Sequence, residues 1–196
     1  MFMRFAGMCA IVAGVGGLLY SVLFVLFLRG NSSLAAPVAI LLTGGGLLTV
    51  VVLLALYETV RAIDAAFARV AVALGVVGAL GAAIHGAYDL SLALHPVTGA
   101  SAAAPSAIDP RGFLTFGVAG AGLLVFAWLI TRSRLFPRPL GYLAYLSAAL
   151  LIVIYLTRLI ILTATNPLVI GPAAIEGLIV NPAFYIWLGL NLRKVS

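Results

Sequence analysis

Charge is the scarcest property of this chain. Only 8% of its 196 residues are Asp, Glu, Lys or Arg, and just five are acidic. A soluble domain of this size could not keep its surface hydrated with so few charges, which excludes that class. Cysteine occurs once, at Cys9 within an apolar run, so neither a disulfide framework nor a cysteine-based metal site can be built. Histidine occurs twice, at His85 and His95. HExxH, Walker, GxSxG and dinucleotide-binding patterns are all missing, and no segment outside the apolar runs is large enough to house a soluble nucleotide site.

What is present is apolar length. Hydrophobic residues make up 64% of the chain, and the mean hydropathy is +1.25. At roughly 20 apolar residues per membrane crossing, the chain has room for about six helices and little else. The net charge of +6 does not mark a nucleic-acid partner, because the basic residues stand singly between apolar runs. They read as topology signals within a lipid bilayer. Arg4 precedes an apolar run that continues to Leu28 without a small-residue cleavage pattern, so it is expected to begin an uncleaved first span.

Taken in order, the expected spans are 5–28, 34–60, 66–94, 113–130, 140–164 and 170–192. In the first, Ala13, Gly17 and Ser21 lie four apart on one stripe that would admit a neighbouring backbone. The second carries Gly44, Gly45 and Gly46, for which close packing is the preferred reading over a flexible point. The third is long enough to require tilt or protrusion. A loop rich in Pro, Ala and Ser follows, from 95 to 112. Gly117 and Ala121 form another small pair in the fourth span, and Pro139 suits the first turn of the fifth. Pro182 falls inside the sixth, where it removes the hydrogen bond to Leu178 and predicts a kink.

In the six-span arrangement Arg4, Arg61, Arg69, Arg132, Arg134, Arg138, Arg193 and Lys194 fall on one side. Arg29 and Arg111 fall on the other, and Arg158 lies within a span. The bias predicts a single all-α bundle with both termini cytoplasmic and the long loop outside. Trp128, Tyr142, Tyr145 and Trp187 lie toward the cytoplasmic ends, as interfacial aromatics do. Asn31-Ser32-Ser33 matches a glycosylation acceptor but reads better as a turn.

Three segments carry a resemblance: LYETVRAIDAAFARVAVALG joining spans two and three, LFPRPLGYLAYLSAALLIV leading into span five, and FYIWLGLNLRK near the end. They resemble a family of bacterial six-helix integral membrane proteins catalogued as a domain of unknown function. The resemblance implies the six-helix fold and a bacterial cytoplasmic membrane. It brings no activity and no site residues.

Ionisable groups in lipid are expensive, about 2.5–3.5 kcal/mol each on insertion scales, and call for partners or a function. Four are candidates: His85, Asp89, Arg158 and Glu176. Counting down from the predicted outer helix ends puts all four within about 6–14 Å of that boundary at 1.5 Å per residue, so one shared layer is expected. His85 and Asp89 are an i, i+4 pair, and their face continues through Gly81, Ala82 and Gly78. Arg158 is the expected counter-charge for Asp89 or Glu176, with Tyr88 and Tyr155 as available donors.

Such a cluster is either structural or the wall of a polar cavity for a small ligand or proton relay. Haem or chlorin ligation by His85 is a further option, weakened because His95 lies at the membrane edge and cannot complete a two-histidine site. The leading functional expectation is a small non-enzymatic accessory or scaffold subunit, packing against itself or other membrane subunits through its small-residue faces. The alternatives are a transporter or ligand-binding protein using the polar cluster and the Pro182 break, and an intramembrane enzyme acting on lipid with His85 and Asp89 as acid and base.

Overall fold

The computed structural model describes residues 1–96, 108–163 and 165–195. Every regular element among them is helical, and six helical stretches are long and apolar enough to cross a membrane. These are Phe2–Leu28, Ser32–Val60, Ala65–Leu94, Pro110–Arg132, Arg138–Ile160 and Pro167–Leu192. The α-helices within them are α1 (Phe2–Leu28), α2 (Ala35–Val60), α3 (Ala65–Leu94), α4 (Ala119–Arg132), α5 (Arg138–Ile160), α6 (Pro167–Ile175) and α7 (Asn181–Leu192). Most of the loop expected over 95–112 lies outside the described residues, as does Ala164, the expected end of the fifth span. The fifth helix stops earlier, at Ile160, where Ile161 turns to extended backbone.

Local chemistry sets the helix ends. Asp64 caps α3 by accepting from the amides of Ala66 and Phe67 at 2.9 and 3.0 Å, which separates α2 from α3. Asn166 does the same for α6, accepting from Leu168 N at 3.0 Å with Pro167 in the first turn.

Besides the 3-10 turn Ser32–Leu34 that opens the second span, two stretches depart from α geometry. The fourth span opens with a 3-10 turn at Pro110–Gly112 and a π-helical segment at Phe113–Val118 before α4 begins. In the sixth span a π-helical segment, Glu176–Val180, joins α6 to α7. Pro182 explains the second. Its ring has no N–H to give Leu178 and would crowd that carbonyl, so the preceding turn widens and Asn181 N bonds Glu176 O instead. The sequence-predicted kink is thus taken up as one π turn. Pro172, a third proline in this span besides Pro167 and Pro182, sits inside α6.

Each span packs on its neighbours in sequence, and the ring closes where α7 packs on α1. Glycine sets the approach at three of these contacts. A Cβ on Gly46 of α2 would stand 2.6 Å from Ala79 O of α3, and one on Gly78 would stand 2.6 Å from Ala119 Cα of the fourth span. Gly7 and Gly189 face one another's backbones on α1 and α7. Without a hydrophobic drive between helices in lipid, such close van der Waals contact is what holds spans together.

The ring is solid at one end and hollow at the other. Toward the end carrying Arg61, Arg69, Arg132 and Arg138, the interior is filled by Leu56, Phe126, Leu129, Leu140, Phe184 and Leu188, all almost wholly buried. Toward the opposite end the middle of the ring is open.

Candidate functional site

The opening is a cavity of about 310 Å³, and all six spans contribute to its wall. Small residues make room for it. Gly45 projects no atom into it and has nothing within 4 Å of where a Cβ would stand, although Gly46 beside it is locked against α3. Ala13, Gly17 and Ser21, the stripe of α1, also face the cavity, with Gly17 close to Asn181 Oδ1. The glycine run therefore divides between packing and space.

His85, Asp89, Arg158 and Glu176 all line this cavity. They do not lie in one layer. Glu176 accepts a hydrogen bond from Ser147 Oγ at 2.5 Å, and Ser147 stands about 16 Å along α5 from Arg158 at 1.5 Å per residue. The depth count treated the sixth span as a uniform helix beginning after 167. It begins at Pro167, which puts Glu176 nine residues in, and the fifth helix ends at Ile160 instead of 164, which leaves Arg158 only two residues from its end.

The shallow group centres on His85. Its Nδ1 lies 3.4 Å from Asp109 Oδ2 and its Nε2 lies 3.5 Å from Asp89 Oδ2. Only an imidazolium can donate to both at once; a neutral ring serves one. Arg158 is near enough to interact through space with Asp89 and Asp109. It forms no ion pair within 4 Å with Asp89 or Glu176 among the described residues. Tyr88 points outward, and Tyr155 packs its ring on Phe113 at 5.5 Å; neither lines the cavity.

Asp109 is the residue that sequence reasoning missed. It is fully buried, and its carboxylate collects the start of the fourth span: Leu114 N donates to Oδ1 at 2.7 Å, while Thr115 N and Thr115 Oγ1 donate to Oδ2 at 3.1 and 2.5 Å. Two of the four residues between, Arg111 and Gly112, take left-handed backbone angles of φ 57° and 77° to turn the chain. Arg111 bears the strain of that conformation without being glycine. Burial pushes the Asp109 carboxyl up, but the bonds from His85, Thr115 and the two amides outweigh it and hold the group down at about 2. The signal was present: Asp followed by Pro before an apolar run is a helix-start pattern. It was read as part of the loop.

The deep group is Glu176, only 4% exposed. Its Oε1 is bonded to Ser147; its Oε2 has no hydrogen-bond partner among the described residues. Asn181, further along the same span, is close to the carboxylate but outside hydrogen-bond geometry with Oε2. Nothing in the sequence announced Ser147, which is an ordinary small residue in an apolar helix until the π segment of the sixth span packs against it. Among the described residues, no group of three His, Cys, Asp or Glu side chains could hold a metal ion.

The chain matches no protein-family model, no curated protein and no solved structure. Any functional reading therefore rests on the cavity itself.

Proposed function

We propose that this is a small-molecule-binding membrane protein whose site is the cavity enclosed by the six spans. The observation that carries the reading is the combination of an apolar, glycine-walled chamber with four ionisable side chains in its wall. Sites for small ligands are mostly apolar, with a few placed polar groups, and charge inside a membrane protein gathers where it faces a cavity. The π segment beside Glu176 adds support, since such segments are frequent at functional sites.

The basic residues 61–69, 132–138 and 193–194 lie at the solid end. By the positive-inside rule that end and both termini face the cytoplasm, and the chamber serves the outer half of the bilayer. Cysteine labelling checks this orientation, because the native Cys9 is buried. An impermeant thiol reagent is expected to modify Ser33→Cys on intact cells and Leu135→Cys only after permeabilisation. The reverse order would invert the topology.

Binding is tested by native mass spectrometry of the protein released from its own membrane. A small-molecule adduct on the wild type that is absent from Gly45→Leu, which fills the chamber, is the expected result. A wild type and a Gly45→Leu variant that are equally bare would return the weight to an accessory or scaffold subunit. That second reading draws on the small extramembrane mass. Its small-residue faces, however, are largely engaged within the chain at Gly7, Gly46, Gly78, Gly86, Gly122 and Gly189.

A further inference from the structure

The deep end of the cavity holds an acceptor oxygen with no donor among the described residues. Glu176 is almost wholly buried, and Oε2 has no partner while Oε1 is fixed by Ser147. A buried carboxylate left half-satisfied is far more costly than a buried neutral group, and the usual remedies are a cation or a set of charge-assisted donors. Among the described residues the chain supplies one bonded donor here, Ser147 on Oε1, and no cation at this depth. The cavity-lining cations are His85 and Arg158, and both belong to the shallow group, His85 already lying between Asp89 and Asp109. The polar residues that share the deep wall, Ser21, Thr49, Asn181 and Tyr185, are neutral.

The walls around this acceptor are apolar or lack side chains, through Ala13, Gly17, Gly45, Gly177 and Leu178. They match a hydrocarbon body, not a second charge. The shallow end offers Asp89, whose side chain is 45% exposed, as a first contact for an incoming cation.

We infer that the cavity takes a small lipophilic amine, with its ammonium group on Glu176 Oε2 and its apolar body against the glycine-lined wall. This rests on the reading of the chamber as a ligand site and specifies the chemistry of what enters it. An ammonium would donate to the free oxygen, neutralise the carboxylate and leave the Ser147 bond intact. An anion would meet Glu176 as a like charge, and an alcohol would offer one neutral donor.

The test compares three probes of similar size, 2-phenylethylamine, 2-phenylethanol and 3-phenylpropionate, by equilibrium titration of the full chain in lipid nanodiscs, with empty nanodiscs subtracted. The amine is expected to bind at least tenfold tighter than the alcohol, and the acid weakest. Glu176→Gln should remove the amine's advantage while leaving alcohol binding within about twofold. Ser147→Ala, which frees the second oxygen, should keep or widen it, and keeps the idea testable if Glu176→Gln does not fold. An alcohol that binds as well as the amine, a preference that survives Glu176→Gln, or one that Ser147→Ala abolishes would overturn the amine assignment. In those cases alcohol binding that disappears in Gly45→Leu would leave the chamber standing as a ligand site. Failure of all three probes to bind the wild type would overturn both.

Discussion

The two ends of this bundle are made from the same few residue types and differ in what the small ones face. At the basic end Gly122 lies against the backbone of Gly75, a would-be Cβ standing 2.6 Å from its amide nitrogen, and Phe126 fills the space beside it with no exposed surface. At the other end Gly45 faces open space, and Glu176 ends in an oxygen with no partner among the described residues. Where backbone meets backbone, glycine builds a solid. Where no helix comes close, the same residue leaves a chamber. The difference points to a rigid half that holds the ring in register and a hollow half free to accommodate a guest.

The strongest way to break the comparison is to enlarge glycine on both sides. Gly122→Leu must drive a side chain into the α3 backbone and is expected to destabilise the protein by about 3 kcal/mol or more. Gly45→Leu enters open space and should change stability by less than about 0.5 kcal/mol, the range of substitutions away from packed features. Unfolding in mixed micelles measures both; equal losses would mean that the chamber is not open.

Removing bulk gives the next largest contrast. Phe126→Ala leaves a hole in the solid half and should cost about 3 kcal/mol. Phe24→Ala removes a half-buried ring from the cavity wall and should cost under about 1 kcal/mol. Comparable losses for the two would remove the distinction between the halves.

The smallest effect concerns the rim of the hollow half. Folded Asp109 stays ionised down to about 2, against about 3.9 for an unfolded aspartate. The unfolded chain therefore binds more protons between these values, and stability rises with pH across that window. The contribution is complete above about pH 4, is lost as pH falls toward 2, and amounts to about 2 kcal/mol. Unfolding midpoints recorded from pH 5 to pH 2 should fall more steeply for the wild type than for Asp109→Asn. Parallel curves would show that the carboxylate does not hold the start of the fourth span.

Much of the framework was legible before any coordinates. The spacing of apolar runs located six crossings, because a membrane demands about 20 apolar residues from each regardless of what the helices later touch. The same reasoning singled out His85, Asp89, Arg158 and Glu176, since ionisable groups in lipid stand out against any apolar background. All four line the cavity. Their pairing was not legible. Arg158 had been matched to Asp89 or Glu176, whereas His85 stands between Asp89 and Asp109, and Glu176 bonds Ser147.

The sequence by itself determined an all-helical chain with six membrane-length apolar segments, a strongly one-sided basic charge and a short inventory of costly polar groups. Those properties follow from transfer energies, which each segment carries alone. Only the tertiary structure decided which glycines pack and which line space, and that Asp109 turns inward to cap a helix. It alone divided the polar groups into a shallow set around His85 and a deep carboxylate with one free oxygen. These depend on helix register and on the π turn ahead of Pro182, where shifting one residue around a helix exchanges a packed wall for an open one.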